Sequence, residues 1–399
     1  MEKTWVKIPE VLFFQEGPGV RNTQYTTEGV KLLNVANLVE GKVDLSTSDR
    51  YISESEAYGK YRHFLCDVGD FVVASSGIKV DYIDKKMGFI DESMLPLCMN
   101  TSTIRFKVLD ENRLRIRYFM YYLKSRHFKQ QLFREITGSA QLNYGPSHLK
   151  KMSIPLFDIK KQDEIIACMD VIQSITEMYK QELKKYDELI KARFVEMFGT
   201  LYDNENGFDV VTMEDVCSLV KDGTHQTPQY TEDRNEGFKF LSSKDVMSQK
   251  IDWTDIKYIP AELHEKLYAT IKPQRNDILM SKNGVNYGVA AVNDTDEVFD
   301  IYVSLALLRP KEIIDPVFLR CVINNYETKR QFDSSIKGIG VPNLHLGEIK
   351  KTKIFLPPME LQKEFVSFVE QVDKSKVAVQ KSLDETQTLF DSLMQEYFG

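Results

Sequence analysis

The hydrophobic pattern of the chain is dominated by two long segments in which apolar residues recur at steps of three and four. The first stripe runs from Ile165 to Met197 and the second from Phe365 to Tyr397, and neither segment contains Pro or Gly. This spacing places the apolar side chains on one face of an α-helix and leaves Lys, Glu, Asp and Gln on the others. At ~1.5 Å per residue, each helix of roughly 38 residues would be about 57 Å long.

Helices of this length exceed the diameter of a ~150-residue domain, which is roughly 35–40 Å. We therefore predict that the two helices pair with each other as an antiparallel coiled coil, which would bury both apolar stripes. The alternative is that each helix packs along its own domain.

The two stretches that precede the helices have the pattern of mixed domains. Short apolar runs such as 70–74 and 277–280 are bounded by Gly, Ser and Asn, which is typical of strands and turns. Helical spacing is present at 118–133 and at 317–332. The predicted fold class is therefore α+β, with each globular domain followed by one long helix.

The two halves of the chain are related by an internal repeat with a spacing of 200 residues. Phe198-Gly199 recurs as Phe398-Gly399, and Gln162 recurs as Gln362. Collinear matches of this kind indicate a duplicated unit.

The repeat predicts approximate two-fold symmetry within the chain. Such symmetry suits a ligand with two similar half-sites, of which duplex DNA is the commonest. The predicted segments are a first domain at 1–157, a first long helix at 158–199, a second domain at 200–357 and a second long helix at 358–399.

Net charge by itself disfavours a polyanion-binding protein, because 52 Lys and Arg residues are outweighed by 59 Asp and Glu residues. The distribution of charge changes this picture. Residues 101–150 contain ten bases and three acids, and residues 301–353 contain nine bases and five acids, whereas residues 201–300 contain ten bases and nineteen acids. A basic stretch at the same place in both repeats predicts a phosphate-contacting surface, with a solvated helix face as the alternative.

Cysteine usage and hydropathy indicate the compartment. The 399 residues include five Cys and no C-x-x-C pair. The first residues lack the apolar run of a signal peptide, and no apolar run approaches the ~18 residues of a membrane span. We therefore expect a cytoplasmic protein with no membrane partner.

Polar loops that contain aromatic residues accompany the basic stretches. They carry Asn, Gln, Ser, Lys and Arg, the side chains that read base edges and bind phosphates. The predicted DNA-binding residues of the first half are Arg21, Asn22, Gln24, Ser75, Ser76, Lys79, Arg105, Lys124, Arg126, Lys129, Ser139, Gln141, Asn143, Tyr144, Lys150 and Lys151. Those of the second half are Lys221, Thr224, His225, Gln226, Tyr230, Lys282, Asn283, Asn286, Tyr287, Lys329, Arg330, Lys337, Asn343, His345, Lys350 and Lys351.

Motifs for catalysis are missing from the sequence. It contains no G-x-x-x-x-G-K-[S/T] loop, no G-x-S-x-G elbow, no H-E-x-x-H motif and no Cys/His set with zinc spacing. We therefore predict no catalytic residue, no metal site and no cofactor in this chain. A binding module is favoured, and an enzyme with an undetected nuclease or methyltransferase site is the alternative from a different class.

The motifs around the predicted domain boundaries closely resemble those of the DNA specificity subunit of type I restriction–modification systems. Residues 221–230 are similar to the polar turn that opens a recognition domain in that family, and residues 17–25 are another version of it. The Leu-Lys-Lys run at 149–151, followed by Gln162, and the Pro-Pro run at 357–358, followed by Gln362, resemble the family's domain ends. The first copy departs from the pattern, since Phe157 and Asp158 replace the prolines.

The resemblance implies a non-catalytic subunit. Two target-recognition domains would each read one half of a bipartite site on double-stranded DNA, and the antiparallel helices would set the spacer between the halves. Two modification subunits would dock and methylate adenine with S-adenosylmethionine, and restriction subunits would add Mg²⁺- and ATP-dependent cleavage. A specificity subunit of a type IIB-like or standalone methylation system is the nearest alternative.

Overall fold

The computed structural model describes residues 3–136, 142–336 and 342–399. The chain divides into two compact units, each of which combines a globular part with parts of two long helices. Unit 1 comprises Met1–Lys180 and Lys381–Gly399, and unit 2 comprises Gln181–Gln380. No helix in the described part of the chain is both long and apolar enough to cross a bilayer.

Unit 1 is built from short strands, short helices, the beginning of one long helix and the end of another. Its described strands are β1 (Thr4–Lys7), β2 (Leu12–Glu16), β3 (Val30–Leu33), β4 (Leu38–Val39), β5 (Lys42–Val43), β6 (Tyr51–Ile52), β7 (Phe71–Ala74), β8 (Ser76–Ile78), β9 (Met87–Phe89), β10 (Leu97–Met99), β11 (Thr103–Val108), β12 (Leu142–Asn143) and β13 (Ser153–Leu156). Its helices are α1 (Glu54–Tyr58), α2 (Ile116–Lys124), α3 (Arg126–Glu135), α4 (Pro146–Leu149) and the first part of α5 (Ile159–Phe198).

A four-stranded antiparallel sheet with strand order β2-β11-β7-β9 organises unit 1. A three-stranded sheet, β10-β3-β6, contains the parallel pair β3–β10, and β1 pairs with β13. All of β7 is buried: Phe71 and Val73 belong to one hydrophobic core, and Val72 and Ala74 belong to another. Successive side chains of a strand point to opposite faces, so β7 is covered on both faces of its sheet.

Unit 2 has the same kinds of element in the same order. Its described strands are β14 (Asp209–Thr212), β15 (Cys217–Asp222), β16 (Phe238–Leu241), β17 (Lys257–Ile259), β18 (Ile278–Ser281), β19 (Ala290–Val292), β20 (Phe299–Ile301), β21 (Leu305–Pro310) and β22 (Lys353–Leu356). Its helices are α6 (Met213–Val216), α7 (Ala261–Tyr268), α8 (Pro316–Ile323), α9 (Tyr326–Ser335), α10 (Leu346–Lys351) and the first part of α11 (Met359–Phe398).

The sheets of unit 2 repeat the topology of unit 1. The four-stranded sheet has the order β15-β21-β18-β19, the three-stranded sheet has the order β17-β16-β20 with β16 and β20 parallel, and β14 pairs with β22. The central strand β18 again serves two cores, because Ile278 and Met280 pack into one and Leu279 packs into the other. The two-domain α+β class predicted from the sequence is therefore confirmed.

The stretches with helical spacing at 118–133 and 317–332 are helical, and each of them is divided into two helices. Ser125 separates α2 from α3, and its Oγ accepts a hydrogen bond of 3.1 Å from the amide of Phe128. Asn325 starts α9 in the same way, with its Oδ1 accepting from the amide of Glu327 at 3.0 Å. A polar N-cap side chain stabilises a new helix start, and apolar periodicity alone does not reveal it.

Each unit packs the beginning of one long helix with the end of the other. In unit 1, Ile165 of α5 shares a core with Met394 and Phe398 of α11, and the Phe398 ring lies 5.1 Å from the ring of Tyr118. In unit 2, Phe198 of α5 shares a core with residues at the start of α11. Both helices therefore contribute to the cores of both units.

A buried glutamine fastens the start of each long helix to its own unit. Gln362 is fully buried, donates to the carbonyl oxygens of Ile313 (3.1 Å) and Pro357 (2.8 Å), and accepts from the amide of Asp315 (2.8 Å). Gln162 makes the same three bonds in unit 1, to the backbone of residues 113, 157 and 115. The backbone that precedes α2 or α8 is thus hydrogen-bonded to a side chain in the first turn of a long helix.

Replacing Gln362 by Ala leaves these three backbone groups without their partner. We expect the free energy of unfolding of unit 2 to fall by about 2–4 kcal/mol, because each unsatisfied buried polar group costs ~1–3 kcal/mol. Amide hydrogen exchange at Asp315 measures the loss locally. Gln371→Ala on the exposed face of the same helix is the matched control, expected to change stability by less than ~0.5 kcal/mol. Equal protection of the Asp315 amide in both variants would contradict the assignment.

Candidate nucleic-acid interface

Two loops meet at the end of the central strand in unit 1. The chain leaves β7 at Ser75 and enters β8, which pairs with β12 so that Ser76 lies opposite Asn143. The amide of Tyr144 then donates to the carbonyl oxygen of Ser75 at 2.9 Å. Four predicted DNA-binding residues, which are distant in sequence, are brought together in this way.

The same two loops meet in unit 2. The amide of Leu344 donates to the carbonyl oxygen of Lys282 at 2.8 Å, and Asn283 forms a β-bridge with Asn343. The glycines that follow, Gly77 and Gly284, have φ values of 77° and 87° and open space where a Cβ would stand. The left-handed backbone, which favours glycine, turns both loops back at the surface.

A polar turn follows the edge strand of each four-stranded sheet. It begins at Gly17 in unit 1 and at Gly223 in unit 2, where a Cβ atom would lie 2.0 Å from the carbonyl oxygen of Asn100 and 2.1 Å from that of Ile301. Only glycine permits this approach of the turn to the three-stranded sheet. The exposed predicted residues of these turns are Arg21, Asn22, His225, Gln226 and Tyr230.

Two further predicted residues of these turns are held by the fold. The side-chain amide of Gln24 donates to Glu56 Oε1 at 2.6 Å and to Tyr61 Oη at 3.1 Å. The amide of Thr224 donates to the carbonyl oxygen of Ile301 at 3.1 Å. These bonds fix the turns on which the exposed side chains stand.

An ion pair joins the turn and the loop of unit 2. Lys282 Nζ lies 3.1 Å from Asp222 Oδ2, and His225 Nε2 lies 3.2 Å from the same oxygen. Only 5% of the Lys282 side chain is exposed, so its ammonium group is committed to this carboxylate.

Four predicted basic residues line one groove of about 1000 Å³ in unit 1. Lys79 and Arg126 are exposed at this groove, while Lys124 and Lys129 are half-buried in its wall. Burial lowers the pKa of Lys124 to about 8, and Lys129 Nζ is paired with Asp84 at 3.2 Å. Lys79 and Arg126, together with Arg134, which is exposed at the same groove, therefore offer positive charge to a phosphate.

The second basic stretch is arranged differently in unit 2. Lys329 Nζ lies 3.2 Å from the centroid of the Tyr287 ring and 2.9 Å from Asp333. The Tyr287 hydroxyl donates to Asp333 Oδ1 at 2.5 Å, and burial raises the pKa of Tyr287 to about 12. Nearby in sequence, Asn286 and Arg330 are exposed.

The remaining lysines near the domain ends are mostly ion-paired. Lys151 pairs with Glu135 at 3.0 Å, Lys350 with Glu214 at 3.0 Å and Lys351 with Glu348 at 3.9 Å, whereas Lys150 is exposed with no ion pair among the described residues. Lys221 Nζ donates to the carbonyl oxygen of Thr270 at 3.3 Å, and the side chains of Asn343 and His345 are exposed. The predicted residues Ser139, Gln141 and Lys337 lie outside the described residues.

Arg105, Ser75 and Tyr144 are predicted contact residues that, like Lys282, are buried, and we assign them a structural role. Arg105 donates to the carbonyl oxygens of Leu65 and His63 at 2.7 Å and pairs with Asp70 at 3.2 Å, so its guanidinium group ties β11 to the preceding loop. Ser75 and Tyr144 are at most 1% exposed. The sequence pattern identified the right loops and strand but not which side chains reach the surface.

Two acidic residues beside these loops were not among the predicted contacts. Glu16 and Asp222 end the edge strands β2 and β15, directly before Gly17 and Gly223. An acidic residue followed by glycine at the head of both polar turns was the sequence signal that could have identified them. In the part of the chain that the structure describes, no cluster of three or more His, Cys, Asp or Glu side chains is placed to hold a metal ion.

These features define a chain of two similar α+β units that each present paired polar loops. The family model described as the type I restriction modification DNA specificity domain matches residues 33–185 and 205–386, and the chain belongs to this family. The resemblance identified from the sequence motifs is therefore confirmed.

Two curated relatives carry names that agree with the family. The specificity subunit of the type I restriction enzyme MjaVIII from Methanocaldococcus jannaschii is 24% identical over 190 residues, which cover 47% of this chain and 43% of that protein. The specificity subunit of the type I restriction enzyme EcoBI from Escherichia coli is 22% identical over 253 residues, which cover 59% and 53%. The chain thus spans about half the length of the curated relatives it matches.

A solved structure extends the likeness of fold to the whole chain. The S subunit of a type I restriction–modification system from M. genitalium superposes with a TM-score of 0.52 at 16% identity, covering 100% of this chain and 96% of that one. The two proteins share the fold.

Replacing Arg105 by Ala tests its structural role. We expect the free energy of unfolding of unit 1 to fall by about 3 kcal/mol, because Asp70, a buried carboxylate, loses one of its cations. Arg21→Ala, at an exposed position, should change stability by less than ~0.5 kcal/mol. Urea denaturation measures both. If Arg105→Ala left stability unchanged and weakened DNA binding instead, the structural assignment would be wrong.

Proposed function

We propose that this chain is the DNA-specificity subunit of a type I restriction–modification complex. The observation that carries the proposal is that two units of one topology, in a chain of this family, each bring a polar turn and two polar loops to the end of a rigid sheet. Loops held on a rigid scaffold are the usual place for recognition. Each unit would read one half of a bipartite site on double-stranded DNA.

Within each unit, position and specificity would be supplied by different side chains. Lys79 and Arg126 would contact phosphates, which holds the unit on the duplex without reading sequence. The exposed amides and hydroxyls of the loops, such as Ser76 and Asn143 in unit 1 and Asn343 in unit 2, would reach base edges. The acidic remainder of the chain would limit binding by the subunit alone.

The long helices would fix the spacing between the two half-sites. Arg193 of α5 pairs with Glu364 of α11 at 3.2 Å, and Asp187 pairs with Lys376 at 2.6 Å. From the first pair to the second, the position on α5 decreases and the position on α11 increases, which supports an antiparallel coiled coil. An antiparallel pair of equal helices would give the chain approximate two-fold symmetry, with the domain boundaries predicted from the repeat.

The catalytic chemistry would belong to partner subunits. Relatives of this chain are named as specificity subunits of type I restriction enzymes, and such a subunit acts within a complex. Two modification subunits would bring S-adenosylmethionine, and restriction subunits would bring ATP and Mg²⁺. Because the modified adenine must leave the base stack, two units gripping the duplex would steady it during methylation.

Methylome sequencing of cells that produce this chain with its modification subunits tests the proposal. We expect methylated adenines in two defined half-sites separated by a constant number of unspecified base pairs. A strain without the chain but with the modification subunits is the control and should lack the motif. Methylation that is independent of the chain, or activity of the purified chain alone on DNA with Mg²⁺ and S-adenosylmethionine, would refute it.

Shortening both long helices tests their role in spacing. Deleting seven residues around the midpoint of each helix removes about 10 Å and keeps the apolar stripes in phase. We expect the preferred spacer to shorten by about three base pairs, at ~3.4 Å per base pair. The methylome of the variant gives the spacer directly, and an unchanged spacer would contradict the proposal.

Removing two exposed cations of the unit 1 groove tests phosphate binding. Lys79→Ala and Arg126→Ala should weaken binding to every sequence and lower the salt slope by about 1 each, because each contact releases a counterion. Arg113→Ala is the matched control, since Arg113 follows the opposite end of β11 from the paired loops. Fluorescence anisotropy at several salt concentrations measures the slopes. A change in sequence preference instead would reassign these residues to base contacts.

A further inference from the structure

The two four-stranded sheets differ in the charge of their side chains at one equivalent pair of positions. In unit 1, Glu16 lies opposite Ile104, which lies opposite Val73, and Ser75 follows two residues after Val73. In unit 2 the same path runs from Asp222 through residues 306 and 280 to Lys282. Paired residues, and residues two apart on a strand, share a face of the sheet. The acid therefore faces Ser75 in unit 1 and Lys282 in unit 2.

The residues that cover this position also differ. The amides of Tyr144 and Leu344 make the same bond, to the carbonyl oxygens of Ser75 and Lys282. Unit 1 thus combines a small residue with a large aromatic one, and unit 2 combines a long cation with a smaller apolar one.

In unit 2 the acid is occupied. The ammonium group of Lys282 and the imidazole of His225 both lie on Asp222 Oδ2, at 3.1 and 3.2 Å. With a buried cation on it, this carboxylate is a poor acceptor for a further group, because its charge is already compensated.

In unit 1 no cation of the described residues is paired with the acid. Glu16 forms no salt bridge with the described residues, and its side chain is half-buried. Partial burial raises the pKa of the Glu16 carboxyl, and the nearby Ser75 hydroxyl lowers it in part. The buried Ser75 Oγ and Tyr144 Oη complete no hydrogen bond of good geometry among the described residues. The Glu16 carboxylate is thus left without an ion-pair partner among the described residues.

The donor and acceptor groups on base edges indicate which bases can donate a hydrogen bond to such a carboxylate. In the major groove, adenine and cytosine present exocyclic amino groups, whereas guanine and thymine present only hydrogen-bond acceptors beside the thymine methyl group. A half-buried carboxylate is complementary to the first pair and opposes the second. It lies beside Ser76 and Asn143, whose loops are paired at the same end of the sheet.

We propose that Glu16 determines the specificity of unit 1 by accepting a hydrogen bond from the exocyclic amino group of adenine or cytosine, and that Lys282 denies this role to Asp222 in unit 2. The inference rests on the proposed function, since it assumes that the paired loops face DNA. The presence of Ser75 in unit 1 and of Lys282 at the equivalent position in unit 2 would thus give two similar units different base requirements.

Substitutions in the complete methyltransferase complex test the assignment. Glu16→Gln keeps the shape of the side chain and removes its charge, and Ser75→Lys installs the cation of unit 2 beside Glu16. Both should relax, by about tenfold, the preference for adenine or cytosine at one position of one half-site, as read by methylation of a randomised duplex library. Lys282→Ser combined with His225→Ala removes both groups from Asp222, and should create a preference for adenine or cytosine at one position of the other half-site.

The unaltered complex provides a test that requires no variant to fold. Duplexes carry purine in place of adenine, or 2-pyrimidinone in place of cytosine, at one position at a time, so that a single exocyclic amino group is missing. We expect about a tenfold loss at one position of the unit 1 half-site, and the analogue that causes it identifies the base. Glu16→Gln should be insensitive to that analogue.

The outcomes separate this inference from the function on which it rests. If Glu16→Gln and Ser75→Lys leave every base preference unchanged, or weaken binding to all sequences alike, the inference is overturned and the proposed function stands. No analogue-sensitive position in either half-site would also overturn it. A complex whose methylation depends on no sequence at all would overturn the proposed function itself.

Discussion

The central strands β7 and β18 are buried on both faces, and each sends alternate side chains into two separate hydrophobic cores. A strand in this position cannot shift its register by one residue without exchanging the two cores, so its end is fixed in space. The chain leaves that end at Ser75 or Lys282 and immediately pairs with the loop that precedes the last strand of the unit. The rigidity of the loops is thus a consequence of core packing.

The long helices make each unit depend on distant parts of the chain. Phe398 packs on Tyr118 in unit 1, and Phe198 packs on Phe318 in unit 2, at ring distances of 5.1 and 5.2 Å. Gln162 and Gln362 bond the helix starts to the backbone that precedes α2 and α8. Unit 1 is not a contiguous stretch of sequence, because the last turns of α11 complete its core, whereas unit 2 is one stretch that begins within α5 and ends within α11.

Several basic residues form ion pairs within their own unit. The basic stretch at 101–150 looked like a phosphate-binding surface, yet Arg105, Arg115 and Arg117 are paired with acids of unit 1. Other cations of this stretch, such as Arg126, Arg134 and Lys150, are exposed and form no ion pair among the described residues. Exposed cations on an acidic chain fit a subunit that positions DNA together with its partners, since each phosphate contact adds only a modest, salt-dependent contribution.

The sequence by itself determined the α+β class, the repeat, the two long helices and the family, because apolar periodicity and collinear motifs are local properties of the chain. It also located the polar turns and loops. It could not show that Ser125 and Asn325 interrupt the helical stretches, or that Arg105, Ser75 and Tyr144 are buried. Only the tertiary structure decided that Asp222 is neutralised by Lys282 while Glu16 is paired with no cation in the described part of the chain, because these side chains meet across three strands whose registers no linear pattern specifies.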